Sequence, residues 1–201
     1  DVRKKFNIKT KYRPLATHYG EFNNKFVAEY EEVVIESDTF SYEDFLEIRS
    51  LNLMFFTVFN QNFQKWFFQF ARHLGVNIPD LFSNFVKPDR SIKWPKGYLE
   101  YLDDFKNAVE GELHDTKEEV VSKMQKLYRD NGNDVGPPSR INVNFGARLI
   151  YMENAWVKPV LMEHLKKTIN KELSEEELEL ANSLISLAER ERINLREIKE
   201  K

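Results

Sequence analysis

The chain has no cysteine. Without a thiolate it can form no disulfide, no Cys-ligated zinc site, no thiolate-held iron–sulfur cluster and no cysteine nucleophile. It is also poor in glycine and proline, with seven of each in 201 residues. That is too few for a fold dense in tight turns, so helices are expected to dominate. No sign of charge prevails: 30 Lys and Arg against 33 Asp and Glu leave a net charge of −3. No global field draws the chain to nucleic acid or to an anionic membrane, and neither is an expected partner. The longest uncharged stretch, residues 50–64, is interrupted by Asn52, Thr57, Asn60, Gln61 and Asn62. It falls short of the roughly eighteen apolar residues of a membrane span. The first five residues lack the apolar core of a secretion signal, and the expected location is the cytoplasm. Because the sequence opens on Asp1 rather than Met, it is expected to be a fragment or a processed product.

A hydrophobic share of 41% beside a charged share of 31% fits a globular chain rather than a disordered one. Two segments near the amino end read as strands. Ile8-Lys9-Thr10-Lys11-Tyr12-Arg13 alternates at period two and is expected to stop at Pro14, and Glu32-Val33-Val34-Ile35-Glu36 is a short apolar run between acids. Gly20 and Asn23-Asn24 supply turn chemistry between them. An isolated hairpin is marginal in water, so this segment is expected to lean on something else.

From Ser41 the pattern becomes helical. Ser41-Tyr-Glu-Asp44 is a capping-box-like start, after which Tyr42, Phe45, Leu46, Leu53 and Phe56 share one face and Ile48, Leu51, Phe55, Val58 and Phe59 cover the other. A helix apolar nearly all round is expected to be central. Asn60-Gln61-Asn62 predicts a break before a second aromatic helix over 63–74. Eleven aromatic residues lie between positions 40 and 70, and the core is expected to centre on Phe45, Leu53, Phe56, Phe59, Trp66 and Phe70. Further helices are predicted from Pro79, from Tyr98 to Gly111, from the capping box Thr116-Lys-Glu-Glu119, over 149–165 with a kink at Pro159, and from Ser174-Glu-Glu-Glu177. Pro88 to Gly97 reads as a loop, as does the Gly- and Pro-rich stretch 131–139. Beyond Glu189 the charge density predicts fraying. The expected fold is mainly α, about six helices with a small β hairpin or strand pair at the N-terminus, divided into a strand-containing segment 1–36 and a helical domain 37–201.

Chemistry is scarce. His18, His73, His114 and His164 have no partner at metal-ligand spacing, with no HExxH or HxH, so each is expected at the surface or in a cap. No P-loop, GxGxxG or GxSxG occurs. The basic run Arg3, Lys4, Lys5, Lys9, Lys11 and Arg13 makes a local field, yet only Phe6 and Tyr12 are interleaved with it as stacking groups, which favours a solvated strand edge over an RNA contact.

Tyr12-Arg-Pro-Leu15, Tyr19-Gly-Glu21 and the run Glu32-Val-Val-Ile-Glu-Ser-Asp-Thr-Phe-Ser-Tyr-Glu-Asp-Phe-Leu-Glu-Ile-Arg-Ser-Leu-Asn52 resemble the carboxy-terminal part of radical SAM proteins that carry a cobalamin-binding domain. The resemblance extends from the amino end to the neighbourhood of Pro88. It implies that residues 1–36 end or connect from a catalytic barrel outside this chain, the partner of the helical domain. It also implies that a 4Fe–4S cluster, S-adenosylmethionine and cobalamin belong to the parent enzyme. The family's CxxxCxxC loop and DxHxxG motif are absent here. His73, followed by Leu74-Gly75 but lacking the preceding Asp, is not carried over as a cobalamin ligand. The resemblance places Arg13, His18 and Tyr19 just after the barrel, where they could reach its mouth and orient a polar or anionic substrate; the alternative is that Arg13 and His18 satisfy backbone carbonyls of a turn. Three functions stay open: an accessory carboxy-terminal domain of such an enzyme, which is favoured and is not catalytic alone; a stand-alone helical protein-interaction module; and a small-molecule-binding domain in which residues 55–70 line a pocket rather than a filled core.

Overall fold

The computed structural model describes residues 2–134 and 140–191. Among them the chain is mainly helical, in the order α1 (Val2–Lys5), β1 (Lys9–Phe22), β2 (Lys25–Glu36), α2 (Tyr42–Phe55), a π-helical turn (Phe56–Asn60), α3 (Lys65–His73), α4 (Ile78–Val86), α5 (Tyr98–Gly111), α6 (Lys117–Asp130), α7 (Ile141–Tyr151), α8 (Asn154–Thr168) and α9 (Glu175–Arg190). The nine helices among the described residues exceed the expected six. The excess includes the four-residue α1 and the division of the helix expected over 149–165. The frayed end expected beyond Glu189 falls largely outside the described residues, as does most of the loop 131–139. Two compact units form. One takes Asp1–Arg49 with Asp104–Ile141, the other Ser50–Asp103 with Asn142–Lys201, so the boundaries fall inside α2 and α5 and at the first residue of α7.

The first unit is built on the antiparallel hairpin β1–β2. Its two-residue turn is Asn23 at φ 49° and Asn24 at φ 59°. Both central positions of such a turn must be left-handed to match the strand twist, and Asn tolerates that conformation better than most side chains. β1 does not stop at Pro14. The pairing slips between Pro14, opposite Tyr30, and Tyr19, opposite Ala28, then resumes to the turn. Proline has no N–H for the ladder, so the strand bulges there and continues. α6 lies across both strands. Ala28, Val120 and Met124 form the buried centre of this contact, with Tyr12, Tyr19, Phe26 and Tyr128 packed around it. α6 starts where the Thr116 side chain accepts the Glu119 N–H, while the Glu119 carboxylate reaches back to the Asp115 N–H at 3.0 Å. α2 starts on a reciprocal pair: Ser41 Oγ accepts from the Asp44 N–H, and Asp44 accepts from the Ser41 N–H at 2.8 Å.

The second unit is an aromatic-cored helical cluster in which α8 lies against α4 and α9 against α3 and α8. Phe63, Phe67, Phe82, Phe85, Tyr98, Tyr101 and Trp156 are its largest fully buried side chains. The aromatic core therefore differs from expectation. Phe45 and Leu53 are buried, but Phe56 and Phe70 are only half-buried, Phe59 is 60% exposed and Trp66 43% exposed. Ile48 and Phe55 are exposed as well, so α2 has an outward face and is not buried all round. The cause is a change of phase. The π turn at Phe56–Asn60 adds a residue to its turn, and Asn62 and Gln64 then take left-handed backbone at φ 54° and 50°. Each shift rotates the following side chains, which brings Phe63, Phe67 and Phe68 inward in place of Phe59, Trp66 and Phe70.

The helix expected over 149–165 breaks at Met152 and Glu153 instead of continuing to Pro159, which lies inside α8. Glu153 is buried and accepts from Arg148 Nε at 2.7 Å and from Trp156 Nε1 at 2.5 Å, an anchor that holds the junction in place of a backbone ladder. Gly97, at φ +94°, opens α5 under the same indole: a Cβ there would stand 3.0 Å from Trp156 Cδ1. α9 carries a complete capping box between Ser174 and Glu177.

Candidate functional site

The hairpin carries Arg13, His18 and Tyr19, the residues that the family resemblance singles out. Arg13 on β1 faces Glu31 across the ladder and reaches its Oε1 at 2.5 Å, with Glu112 Oε1 at 3.4 Å on its other side. Arg49, from α2, donates to the same Glu112 oxygen at 2.8 Å. The result is an alternating chain of two cations and two carboxylates in which the Glu112 side chain is 9% exposed and the Arg49 side chain 17%. Burial pushes the Glu112 carboxyl upward against the opposing pull of Arg49 and Arg13. Burial likewise pushes the Arg49 guanidinium down, and Glu112 holds it up. Arg13 therefore binds carboxylates, not the backbone carbonyls of a turn.

Tyr19 lies beyond the slip in β1. Its hydroxyl donates to Asp134 Oδ1 at 2.5 Å and its ring meets the edge of Tyr128 at 5.9 Å. His18, inside the slipped segment, is exposed. Arg13 is thus drawn into the acid–base chain and Tyr19 into the aromatic cluster on α6. Other members of the basic run are also paired with acids of this unit, Arg3 with Glu32 at 2.7 Å, Lys9 with Glu36 at 2.5 Å and Lys11 with Asp115 at 2.5 Å. These neighbours offset the local positive field that the sequence alone suggests.

Beside its exposed acids Glu21, Glu29 and Glu32, the hairpin leaves apolar side chains open. Phe22 is 72% exposed at its tip, with Val27 and Val34 along β2 also exposed. Among the described residues the sheet has two strands, so the outer edge of β2, twelve residues long, has no strand partner. Natural folds cover or charge such an edge.

A second polar constellation was not expected from the sequence. His164 on α8 is 1% exposed, against the surface or capping role assigned to every histidine. The Tyr98 hydroxyl donates to the Phe85 carbonyl at 2.5 Å, so at the 2.8 Å contact it accepts from His164 Nε2. That leaves Nδ1 unprotonated, and it has no hydrogen-bond partner among the described residues. Trp94 stacks on the imidazole at 4.7 Å, with Lys167 Nζ 4.9 Å above the indole. Burial, helped by the Lys167 charge, pushes the imidazole down to about 4. The available signal was periodicity, since position 164 continues the apolar face of Val160 and Leu161. His73 is exposed; His114 is half-buried, its backbone pairing with Tyr12 at 2.8 Å in both directions.

The His164 environment predicts a pH dependence. An imidazole that titrates near 6.5 when unfolded and near 4 when folded binds more protons in the unfolded state, so stability falls as pH drops through that window. The difference in unfolding free energy between wild type and His164→Gln should change by about 3 kcal/mol between pH 7 and pH 4. Urea titrations at several pH values measure it, and parallel curves for the two proteins would remove the assignment.

Among the described residues no group of three or more His, Asp or Glu side chains gathers at metal-binding distance. No helix there is long and apolar enough to cross a membrane. Compared with protein-family models, curated proteins and solved structures, the chain finds no match.

Proposed function

We propose that this chain is an accessory carboxy-terminal helical domain of a cobalamin-type radical SAM enzyme, cytoplasmic in location, which supports the catalytic barrel and shapes access to it. It is not catalytic alone. The reading rests on the resemblance that runs from the amino end to about Pro88. The observation that carries it furthest is the open outer edge of β2 beside exposed Phe22, Val27 and Val34, a surface suited to continuing a sheet or covering an apolar wall. Arg13, His18 and Tyr19 belong to that hairpin, and any part they take in substrate access would be as its flank. The 4Fe–4S cluster, S-adenosylmethionine and cobalamin belong to the rest of the parent polypeptide. With no cysteine, this chain has no thiolate to hold the cluster.

The test is the reading frame that encodes the chain. It should contain a CxxxCxxC loop upstream, and its full product should bind a 4Fe–4S cluster and cleave S-adenosylmethionine after anaerobic reconstitution, while the 201-residue chain does neither. A reading frame without that loop, or stoichiometric cluster bound by this chain, overturns the proposal.

A further inference from the structure

The second unit holds a cleft of about 490 Å³ between the π turn, α3 and the start of α4. Such a volume is in the range that takes a small organic molecule. Its floor is apolar: Val58, Phe68 and Val76 are buried there, and Phe59 stands as an exposed aromatic wall. Phe59 is one of the aromatics that the change of helix phase turns outward. An exposed phenyl ring beside a concave apolar floor leaves surface that a ligand body would remove from water.

The rim carries one sign of charge. Lys65 and Arg72 line the cleft, and no Asp or Glu does. Seven residues apart on α3, they stand on one side of the helix, about 10 Å from each other along its axis. Both are exposed; Lys65 Nζ lies 5.2 Å from the centre of the Trp66 ring, and neither cation forms an ion pair with a carboxylate among the described residues. In a chain whose other basic residues so often sit against acids, two cations that meet no carboxylate among the described residues, over an apolar floor, make an arrangement complementary to an anion that carries a hydrocarbon body. Arg72 offers the forked donor geometry that a carboxylate accepts in bidentate fashion.

We propose that this cleft is a binding site for a small amphipathic carboxylate, its head group held by Arg72 or Lys65 and its apolar body laid along Phe59 and Phe68. The site goes beyond the accessory-domain reading and stands independently of it, since it uses only residues of the second unit.

The test is calorimetric titration of the 201-residue chain with decanoate, with decan-1-ol as the uncharged control. Decanoate should bind saturably with one site per chain, at least tenfold more tightly than decan-1-ol. The double variant Lys65→Gln, Arg72→Gln should lose at least tenfold of the decanoate affinity and leave decan-1-ol binding unchanged. Both positions are exposed, so the variant should keep its melting temperature. Phe59→Ala should weaken both ligands alike. No saturable decanoate binding, equal affinity for acid and alcohol, or a double variant that binds decanoate as the wild type does would each overturn the site. None of these outcomes bears on whether the parent polypeptide carries an iron–sulfur cluster, so this inference and the accessory-domain reading fail separately.

Discussion

Phe67→Ala should destabilise the chain by roughly 3–5 kcal/mol, whereas Phe59→Ala should change stability by less than about 1 kcal/mol. Phe67 is wholly buried, with its ring 5.3 Å from that of Phe68, which in turn meets Phe82 at 5.3 Å. Removing the ring deletes its transfer free energy and leaves a cavity among rigid aromatics that cannot collapse to fill it. Phe59 loses mostly surface already in water. Chemical denaturation of the two variants separates them directly. A large loss at Phe59 with a small one at Phe67 would restore the helical phase that the sequence alone suggests and contradict the π turn as the point of rotation.

Glu112→Ala is the second large effect, at roughly 3–5 kcal/mol. The carboxylate accepts from Arg49 and Arg13 together, and its removal leaves the largely buried Arg49 guanidinium without the acid it is hydrogen-bonded to. The loss measures that uncompensated charge rather than the net contribution of the pair. Replacing both partners with Arg49→Met and Glu112→Leu should therefore recover most of the stability, because hydrophobic side chains of similar size avoid the desolvation of both ions. A double variant no more stable than Glu112→Ala would show that the chain of charges acts through a geometry these side chains cannot replace. Thermal or urea unfolding of the three proteins decides between the two.

The parts of the fold that were legible in the sequence are those fixed by local chemistry. Asn23-Asn24 could form the turn because Asn tolerates left-handed backbone, and Ser41, Thr116 and Ser174 each begin a helix with a side chain that accepts an amide hydrogen. The α5 stripe of Tyr98, Tyr101, Leu102, Phe105 and Val109 is buried throughout, since nothing interrupts its period. The rest depended on contacts between distant residues. The π turn carries no glycine or proline to announce it, and periodicity carried across it assigns the following aromatics to the wrong face. The junction at Glu153 is held by Arg148 and Trp156 rather than by a breaker residue. Pro14 read as a stop because its missing N–H was visible, whereas the partner strand able to absorb a slip was not. At the hairpin, Arg13 could be named from the sequence, but its acids Glu31 and Glu112 lie 18 and 99 residues away. The α3–α4 cleft was legible only as the possibility of a pocket in 55–70; its residues extend to Pro79, and its cations count only once the phase of α3 is known.

The proposed docking role of the hairpin edge is tested most directly by amide hydrogen exchange along β2 in the proposed parent polypeptide and in the 201-residue chain. The account predicts that outward-facing amides of residues 27–34 exchange at least tenfold more slowly in the proposed parent protein, because the proposed barrel would cover the edge that is open here, while amides of α9 exchange alike in both. Equal exchange along β2 in the two proteins would contradict it.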